Sequence, residues 1–356
     1  MIHAAVNLLW CAHGRVGGSE EYLVRQLDGL ADVAPEISCD LHLGKPLAEA
    51  HPSLRRHRLR TTGLDVDRRA IRIPVEHTAL AIGSRGADLV HHGGGTAPLW
   101  GRGPRVVTVH DLQYLRLPQY FTRARLTYLR AMMGQSVRRA TAHVATTVTE
   151  AFGIDPDRIV VVPHGVPAPR TSADEIAATR ERYLGADDRG GRLVLLPAIT
   201  HPHKGHLRLI SAFARWSTPA DRLVLIGGTG AAEQDVMTAI RTSHVADRIQ
   251  RPGRVDDDQR DSLIAAADVL VLPSEEEGFG APVIEAMAAG TPVVVSDIPA
   301  LVEVGGGAAV VATEGIDTLV EALETAVADC DRLIAAGLER SRHFTTATSG
   351  AALAAA

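Results

Sequence analysis

The sequence predicts an α/β protein made of two Rossmann-like, doubly wound parallel-sheet domains. Its 356 residues are enough for two domains at roughly 150 residues each. Short runs rich in β-branched residues alternate with segments of helical period from end to end, the pattern of βα units on a parallel sheet. The pattern occurs twice, and the break is punctuated by Pro and Gly: His164-Gly165-Val166-Pro167-Ala168-Pro169 and Asp187-Asp188-Arg189-Gly190-Gly191 flank a polar helical segment. The expected divisions are a first domain over 1–168, a second over 169–340 and a tail over 341–356.

In the first half the expected strands are 3–10, 38–43, 87–91, 105–109, 142–147 and 159–163, with helices near 19–31, 76–85 and 120–139. The opening run Met1–Trp10 is apolar. Asn7 interrupts it well short of a membrane span, and it lacks the basic region and cleavage site of a signal peptide, so it reads as a buried strand. In the second half the expected strands are 192–197, 222–227, 268–272, 292–295 and 307–311, with helices near 205–215, 230–243, 257–267, 281–289 and 315–328. Ligands bind at the carboxyl ends of strands in open α/β sheets, so the chemistry is expected in a cleft where two such domains face each other.

Composition narrows the function class. The chain is 46% hydrophobic and 22% charged, which fits a globular protein and excludes a disordered one. Cys11, Cys39 and Cys330 are scattered and form no C-x-x-C pair, giving neither a disulfide framework nor a zinc knuckle, as suits a reducing cytoplasm. The net charge of -5 hides an asymmetry: residues 1–170 hold 21 Lys+Arg against 15 Asp+Glu (+6), and residues 171–356 hold 16 against 27 (-11). Much of the basic excess runs through Arg55, Arg56, Arg58, Arg60, Arg68, Arg69 and Arg72, read either as a solvated loop or as an attractor of anions. Base-reading modules and aromatic stacking ladders are not evident, so nucleic acid is not an expected partner.

The richest motif follows the strand Val269–Leu272: Pro273-Ser274-Glu275-Glu276-Glu277-Gly278-Phe279-Gly280-Ala281-Pro282-Val283-Ile284-Glu285. Pro282 suits the first helical position and Gly290 the stop. Backbone N–H groups around 278–281 and the positive end of the helix dipole suit a phosphate or sugar oxygens, and Gly278 and Gly280 permit close approach. Glu285, read as lying in the first turn, projects toward the same spot, where a carboxylate can accept two hydrogen bonds from a ribose diol or serve as a capping group.

Glu277 and Glu285, with seven residues between them in E-G-F-G-A-P-V-I-E, resemble the signature of family 4 retaining glycosyltransferases, which have the two-domain GT-B fold and use nucleotide sugars. Other segments agree in order: Val16-Gly17-Gly18-Ser19-Glu20-Glu21-Tyr22, Val109-His110-Asp111-Leu112, Val162-Pro163-His164-Gly165-Val166, Pro202-His203-Lys204-Gly205-His206 and Pro252-Gly253-Arg254-Val255. The resemblance runs from about residue 5 to 340. By resemblance Lys204 neutralises the leaving diphosphate, beside His203, and the chain's only other lysine is Lys45. His110 contacts the transferred hexose, Glu277 the donor-sugar hydroxyls, and the stretch at Gly253 and Val255 lies by the base. Gly17 and Gly18 in the first βα loop bring backbone N–H groups to the phosphate or sugar, and Gly278, Phe279 and Gly280 complete the donor-binding set with Glu285.

The implied reaction is transfer of a hexosyl unit, mannosyl slightly favoured, from a nucleoside diphosphate sugar to a hydroxyl of a glycan or lipid-linked glycan, with retention. The Pro-His-Lys variant resembles a mannosyltransferase branch of polysaccharide biosynthesis, which tilts the donor toward GDP-mannose. No metal and no cofactor beyond the nucleotide sugar is expected: Asp65-Val66-Asp67 does not sit at a cleft loop, and His201, His203 and His206 crowd around Pro202 without carboxylates at ligand spacing. A cytoplasmic protein is expected, with peripheral contact at an anionic inner membrane face suggested by the basic first half. Three features depart from the family: an Arg usual before the lysine is missing, 145–153 is short, and the tail beyond Phe344 lacks an aromatic. The alternatives are a degenerate GT-B protein that binds nucleotide or a partner without turnover, a GT-B epimerase or synthase-like enzyme acting on the donor itself, and a nicotinamide oxidoreductase. The last is disfavoured because the glycines at 227–230 lack a third at the required place.

Overall fold

A computed structural model describes residues 2–100, 103–139, 142–144, 148–185 and 190–356. Two compact units are present: Met1–Pro167 together with Phe344–Ala356, and Ala168–His343.

The first unit carries the strands β1 (Ile2–Asn7), β2 (Ile37–Gly44), β3 (Arg58–Thr62), β4 (Leu89–His92), β5 (Arg105–Thr108), β6 (Ala142–Val144) and β7 (Ile159–Val160). Its helices are α1 (Gly18–Val33), α2 (Lys45–Ala50), α3 (Arg69–Val75), α4 (Ala81–Gly83), α5 (Gln113–Arg116), α6 (Arg123–Arg139) and α7 (Val148–Phe152). The strands form one parallel sheet in the order β3-β2-β1-β4-β5-β6-β7. The α1 helix buries Tyr22, Leu23, Leu27 and Leu30 on the core of β1 and β2, a stripe at helical spacing.

The second unit holds α8 (Ala173–Leu184), β8 (Leu193–Pro197), α9 (His206–Trp216), β9 (Arg222–Ile226), α10 (Glu233–Thr242), β10 (Ile249–Gly253), α11 (Asp257–Ala266), β11 (Val269–Leu272) and α12 (Ala281–Ala288). It ends with β12 (Val293–Ser296), α13 (Pro299–Gly305), β13 (Val310–Ala312), α14 (Ile316–Ala328) and α15 (Cys330–Ser341). Its sheet is parallel with the order β10-β9-β8-β11-β12-β13, the same winding as in the first unit. The apolar runs of β8, β11 and β12 are buried, as strands covered on both faces must be.

Two strands were absent from the sequence expectation, and both are edge strands: β3 bounds the first sheet and β10 the second. An edge strand has one unpaired side and needs no continuous apolar run, so β3 reads Arg-Leu-Arg-Thr-Thr and β10 carries Pro252. The Arg-rich stretch is therefore not a loop throughout: Arg58 and Arg60 lie in β3, and Arg69 and Arg72 lie in α3. Within it, Arg56, Arg60, Arg68 and Arg72 pair with Asp32, Asp40, Asp65 and Glu76. The expected strand 159–163 is shorter, ending at Val160, and the expected stretch 145–147 lies outside the described residues.

The final helix, α16 (Thr346–Ala355), returns to the first unit and packs on α1. Small residues replace an aromatic anchor there. A Cβ on Gly29 would lie 1.9 Å from the Thr346 carbonyl oxygen, and one on Gly350 would lie 2.2 Å from the Gly29 carbonyl carbon, so the helices approach backbone to backbone. Val166 N donates to Phe344 O at 2.7 Å and Ser349 Oγ to Pro163 O at 2.6 Å, fixing the tail's entry. No helix among the described residues is long and apolar enough to cross a membrane.

Candidate active site

In a sheet wound this way the chain leaves in opposite directions from the two central strands, and the loops beyond their carboxyl ends part to leave room for a ligand. In the second unit those strands are β8 and β11. The loop after β8 carries His203 and Lys204, and the loop after β11 carries Ser274 to Gly280. Lys204 Nζ donates to Glu277 Oε1 at 2.8 Å, and Ser274 Oγ donates to the same oxygen at 2.8 Å. The lysine and glutamate side chains are only 15% and 12% exposed, so the pair sits where solvent screens it weakly.

The backbone brings these loops together. Glu275 N donates to His203 O at 2.8 Å. Gly205 has φ +72°, and a Cβ there would lie 2.1 Å from the Pro273 carbonyl oxygen, so only glycine fits both the left-handed conformation and the contact. Gly280 caps α12 with φ +89°, and a Cβ there would meet Leu301 Cδ2 at 2.4 Å. The helix starts at Ala281, which corrects two sequence readings: Pro282 is its second residue, and Glu285 opens the second turn instead of lying in the first. Glu285 is half-buried, and its charge acts on Arg260 of α11: burial lowers that guanidinium's pKa, but Glu285, Asp261 and Asp257 together raise it. Gly278 is exposed, Phe279 half-buried and Gly280 buried at the mouth of α12. Val255 is half-buried just beyond Gly253, which has φ +85° at the end of β10.

His203 is buried, its ring stacked on His201 at 5.6 Å; burial and the Lys204 charge push its pKa down to about 4, so the imidazole is neutral at physiological pH.

Sequence reasoning missed Ser274 and a network behind the lysine. Arg251 donates to the carbonyls of Gly227 (2.8 Å) and Gly228 (3.2 Å) and to Glu233 Oε2 (3.0 Å). Thr200 Oγ1 donates to the same Glu233 oxygen at 2.5 Å and accepts from Gly230 N at 2.7 Å. Burial raises the Glu233 carboxyl, but the Thr200 and Arg251 hydrogen bonds outweigh it and hold the pKa below the usual range. The network braces the loop holding Lys204 against the glycine turn after β9. That turn is also tight: a Cβ on Gly227 or Gly230 would lie 2.4 Å or 2.5 Å from the Ala198 or Thr200 carbonyl oxygen.

In the first unit the corresponding central strands are β1 and β4, followed by β5. His110, just past β5, has Nε2 2.7 Å from the Gly93 carbonyl oxygen beyond β4. A carbonyl only accepts, so Nε2 carries the proton. Burial pushes the His110 pKa down, leaving a neutral ring whose Nδ1 is an acceptor. Tyr22 and Trp10 rings each lie 5.4 Å from it. Gly17 caps α1 with φ +62°, and a Cβ on Gly17 or Gly18 would meet nothing within 4 Å, so the first βα loop opens onto free space.

Two doubly wound parallel sheets in one chain, the second with a lysine and a carboxylate joined over its winding reversal, define a GT-B type protein. The fold is shared with Anabaena Alr3699/HepE in complex with UDP and glucose (TM-score 0.77, 21% identity, 100% of this chain and 99% of that one). It is also shared with sucrose-phosphate synthase from Thermosynechococcus elongatus (TM-score 0.77, 18% identity, 100% and 98%).

The family model "Glycosyltransferase Family 4" matches residues 16–170, and "Glycosyl transferases group 1" matches 187–340. The O-antigen chain mannosyltransferase RfbU of Salmonella typhimurium is 29% identical over 208 residues, 56% of this chain and 54% of that protein. The D-inositol 3-phosphate glycosyltransferase of Gordonia bronchialis is 34% identical over 239 residues, 59% and 49% respectively. The chain belongs to the family 4 glycosyltransferases. It matches about half the length of these curated relatives.

Proposed function

We propose that the protein is a retaining hexosyltransferase that moves a sugar, mannosyl first in order of trial, from a nucleoside diphosphate sugar to a hydroxyl of a glycan or lipid-linked glycan. The observation that carries the reading is the Lys204–Glu277 pair closing over the winding reversal of the second sheet. In the reaction the bond from the anomeric carbon to the diphosphate oxygen breaks and the bond to the acceptor oxygen forms. Lys204 offsets the charge growing on the departing diphosphate, aided by the N-terminus of α12. Glu277, ion-paired and hydrogen-bonded by Ser274, is suited to accept hydrogen bonds from donor-sugar hydroxyls and ill suited to attack carbon. The acceptor therefore attacks on the face the diphosphate leaves, and its proton passes to the departing phosphate oxygen. His110 offers Nδ1 to a hexose hydroxyl, and Glu285 receives the ribose diol.

No metal or cofactor besides the nucleotide sugar is part of this reading. GDP-mannose is the first donor to test, given the mannosyltransferase relative, and UDP-glucose the second, given the UDP complex of the structural neighbour. The exposed Arg55, Arg58 and Arg69 are the groups proposed to meet an anionic membrane face or a lipid-linked acceptor.

A metal-free thermal-shift panel of GDP, UDP, ADP and their sugar conjugates on wild type, Lys204→Ala and Glu285→Ala tests the proposal. A ligand at 100 times its dissociation constant adds about 2.7 kcal/mol of stability. One base should stabilise wild type and both substitutions should weaken the effect; product analysis with that donor then shows the anomeric configuration. Stabilisation without any sugar transfer or donor hydrolysis would leave a nucleotide-binding protein that does not turn over.

A further inference from the structure

We propose that His13, Glu20 and His51 form a zinc-class metal site in the first unit, separate from the donor-binding residues. Three elements supply the three donors, two of them neighbours in sequence and the third 31 residues further on. His13 lies in the loop after β1, Glu20 is the third residue of α1, and His51 follows α2. His13 Nδ1 is 2.6 Å and His51 Nε2 2.7 Å from the same oxygen, Glu20 Oε1, and the three ligand atoms all lie within 4.8 Å of one another. The other carboxylate oxygen accepts from Gly14 N at 2.8 Å, which fixes the carboxylate plane from behind as the outer shell of a metal site does.

Two imidazole nitrogens and one carboxylate oxygen are the ligand types Zn²⁺ takes with a fourth position left for water. Ligand atoms around a tetrahedral ion about 2.0–2.1 Å away are roughly 3.3 Å apart, so both rings need to withdraw by about half an ångström. His13 can do so because its side chain is 45% exposed, and that exposure is also the entry path; Glu20 and His51, at 6% and 13%, form the buried floor. On coordination each imidazole carries its proton on the ring nitrogen that does not face the ion, and the hydrogen bonds to Glu20 are replaced by metal bonds. The ion would tie the β1–α1 loop, which ends in Gly17 and Gly18, to the end of α2. Nothing in this step depends on sugar transfer.

The probe is Zn²⁺ alone on chelator-treated full-length protein, followed by calorimetry, with Co²⁺ as a spectroscopic substitute. The proposal expects one ion per chain and visible Co²⁺ bands of a low-coordinate site. His51→Ala and Glu20→Gln should each weaken binding at least about 100-fold, and His13→Ala at least about 10-fold. Exposed His343 and the stacked His201 provide controls, and His343→Ala and His201→Ala should bind as wild type does. If His51→Ala does not fold, Glu20→Gln and His13→Ala decide. Absence of binding, binding unaffected by the three substitutions, or binding abolished by His201→Ala would each overturn the site.

Discussion

The two units wind their sheets in the same order yet arm the winding reversal differently. In the second unit the loops carry charge: Lys204 on Glu277, and Arg251 on Glu233 behind them. In the first unit the same region holds rings kept neutral by burial. His91 is pushed down to about 4, His92 and His164 to about 3, and His110 is also lowered, with Tyr22 and Trp10 packed around it. The fold chooses where a ligand goes, and the loop residues choose what it is. A half-buried cation has the chemistry to meet an anion, while neutral donors and acceptors beside aromatic faces have the chemistry to meet a polar, uncharged group.

The largest expected effect strikes the joint between the second unit's loops. Gly205→Ala combines a left-handed backbone with a Cβ placed 2.1 Å from a carbonyl oxygen that cannot rotate away. It should cost about 3–5 kcal/mol, read as a fall in unfolding temperature of the second unit, whose one tryptophan, Trp216, reports on it. A melting temperature equal to wild type would show that the loops are held by something other than this contact.

Next comes the charge itself. Lys204→Met keeps the length of the side chain and removes the cation, leaving Glu277 with Ser274 as partner. If the donor binds here, transfer should slow by about 10²–10³-fold, roughly 3–4 kcal/mol of transition-state stabilisation. His110→Ala in the first unit removes no charge; the ring's contacts with Tyr22, Trp10 and the Gly93 carbonyl are lost to the fold, and the neutral hydrogen bond to substrate should be worth about 1 kcal/mol, or several-fold in rate. Reversal of that order would mean that the charged loops are not where the leaving group departs.

Charge was the legible part of the site. Lys204 stood out by resemblance and because the chain has only two lysines, and Glu277 through the resemblance of its frame with Glu285 to the family signature. Ser274, Thr200, Glu233 and Arg251 were not legible: each is an ordinary residue until the sheet order sets β8 beside β9 and β11. The interior strands announced themselves as apolar runs, whereas β3 and β10 lacked the burial that produces such runs. The His13–Glu20–His51 cluster escaped because its members are 7 and 31 residues apart and meet only in the fold.

Acid should separate the two units further. A histidine whose folded pKa lies below its unfolded value of 6.5 stays neutral in the folded state while the unfolded chain takes up a proton. Stability is then full above pH 6.5 and falls as the pH drops from there toward about 4, where the folded ring also protonates. The slope is about 1 kcal/mol per histidine for each pH unit. Among the described residues the first unit holds five such rings (His42, His91, His92, His110, His164) and the second two (His203, His206). Hydrogen exchange between pH 6.5 and 4.5 should therefore accelerate in the first unit before the second. Equal acceleration would show that carboxylates, and not these rings, govern the acid response.

The last test sets the open loop of the first unit against the closed one of the second. Gly17 shares with Gly205 a positive φ, +62° against +72°, but a Cβ on Gly17 has open space within 4 Å. With ψ at −142° Gly17 lies outside the left-handed helical region, in backbone space that essentially only glycine adopts, so Gly17→Ala should lose the backbone term alone, about 1–3 kcal/mol, in unfolding experiments. A methyl group there displaces no neighbouring side chain while standing between a ligand and the N–H groups at the start of α1. Sugar-nucleotide affinity should therefore fall further than stability does. If affinity and stability fall together by the same small amount, Gly17 serves the backbone conformation alone and the first βα loop takes no part in holding the donor.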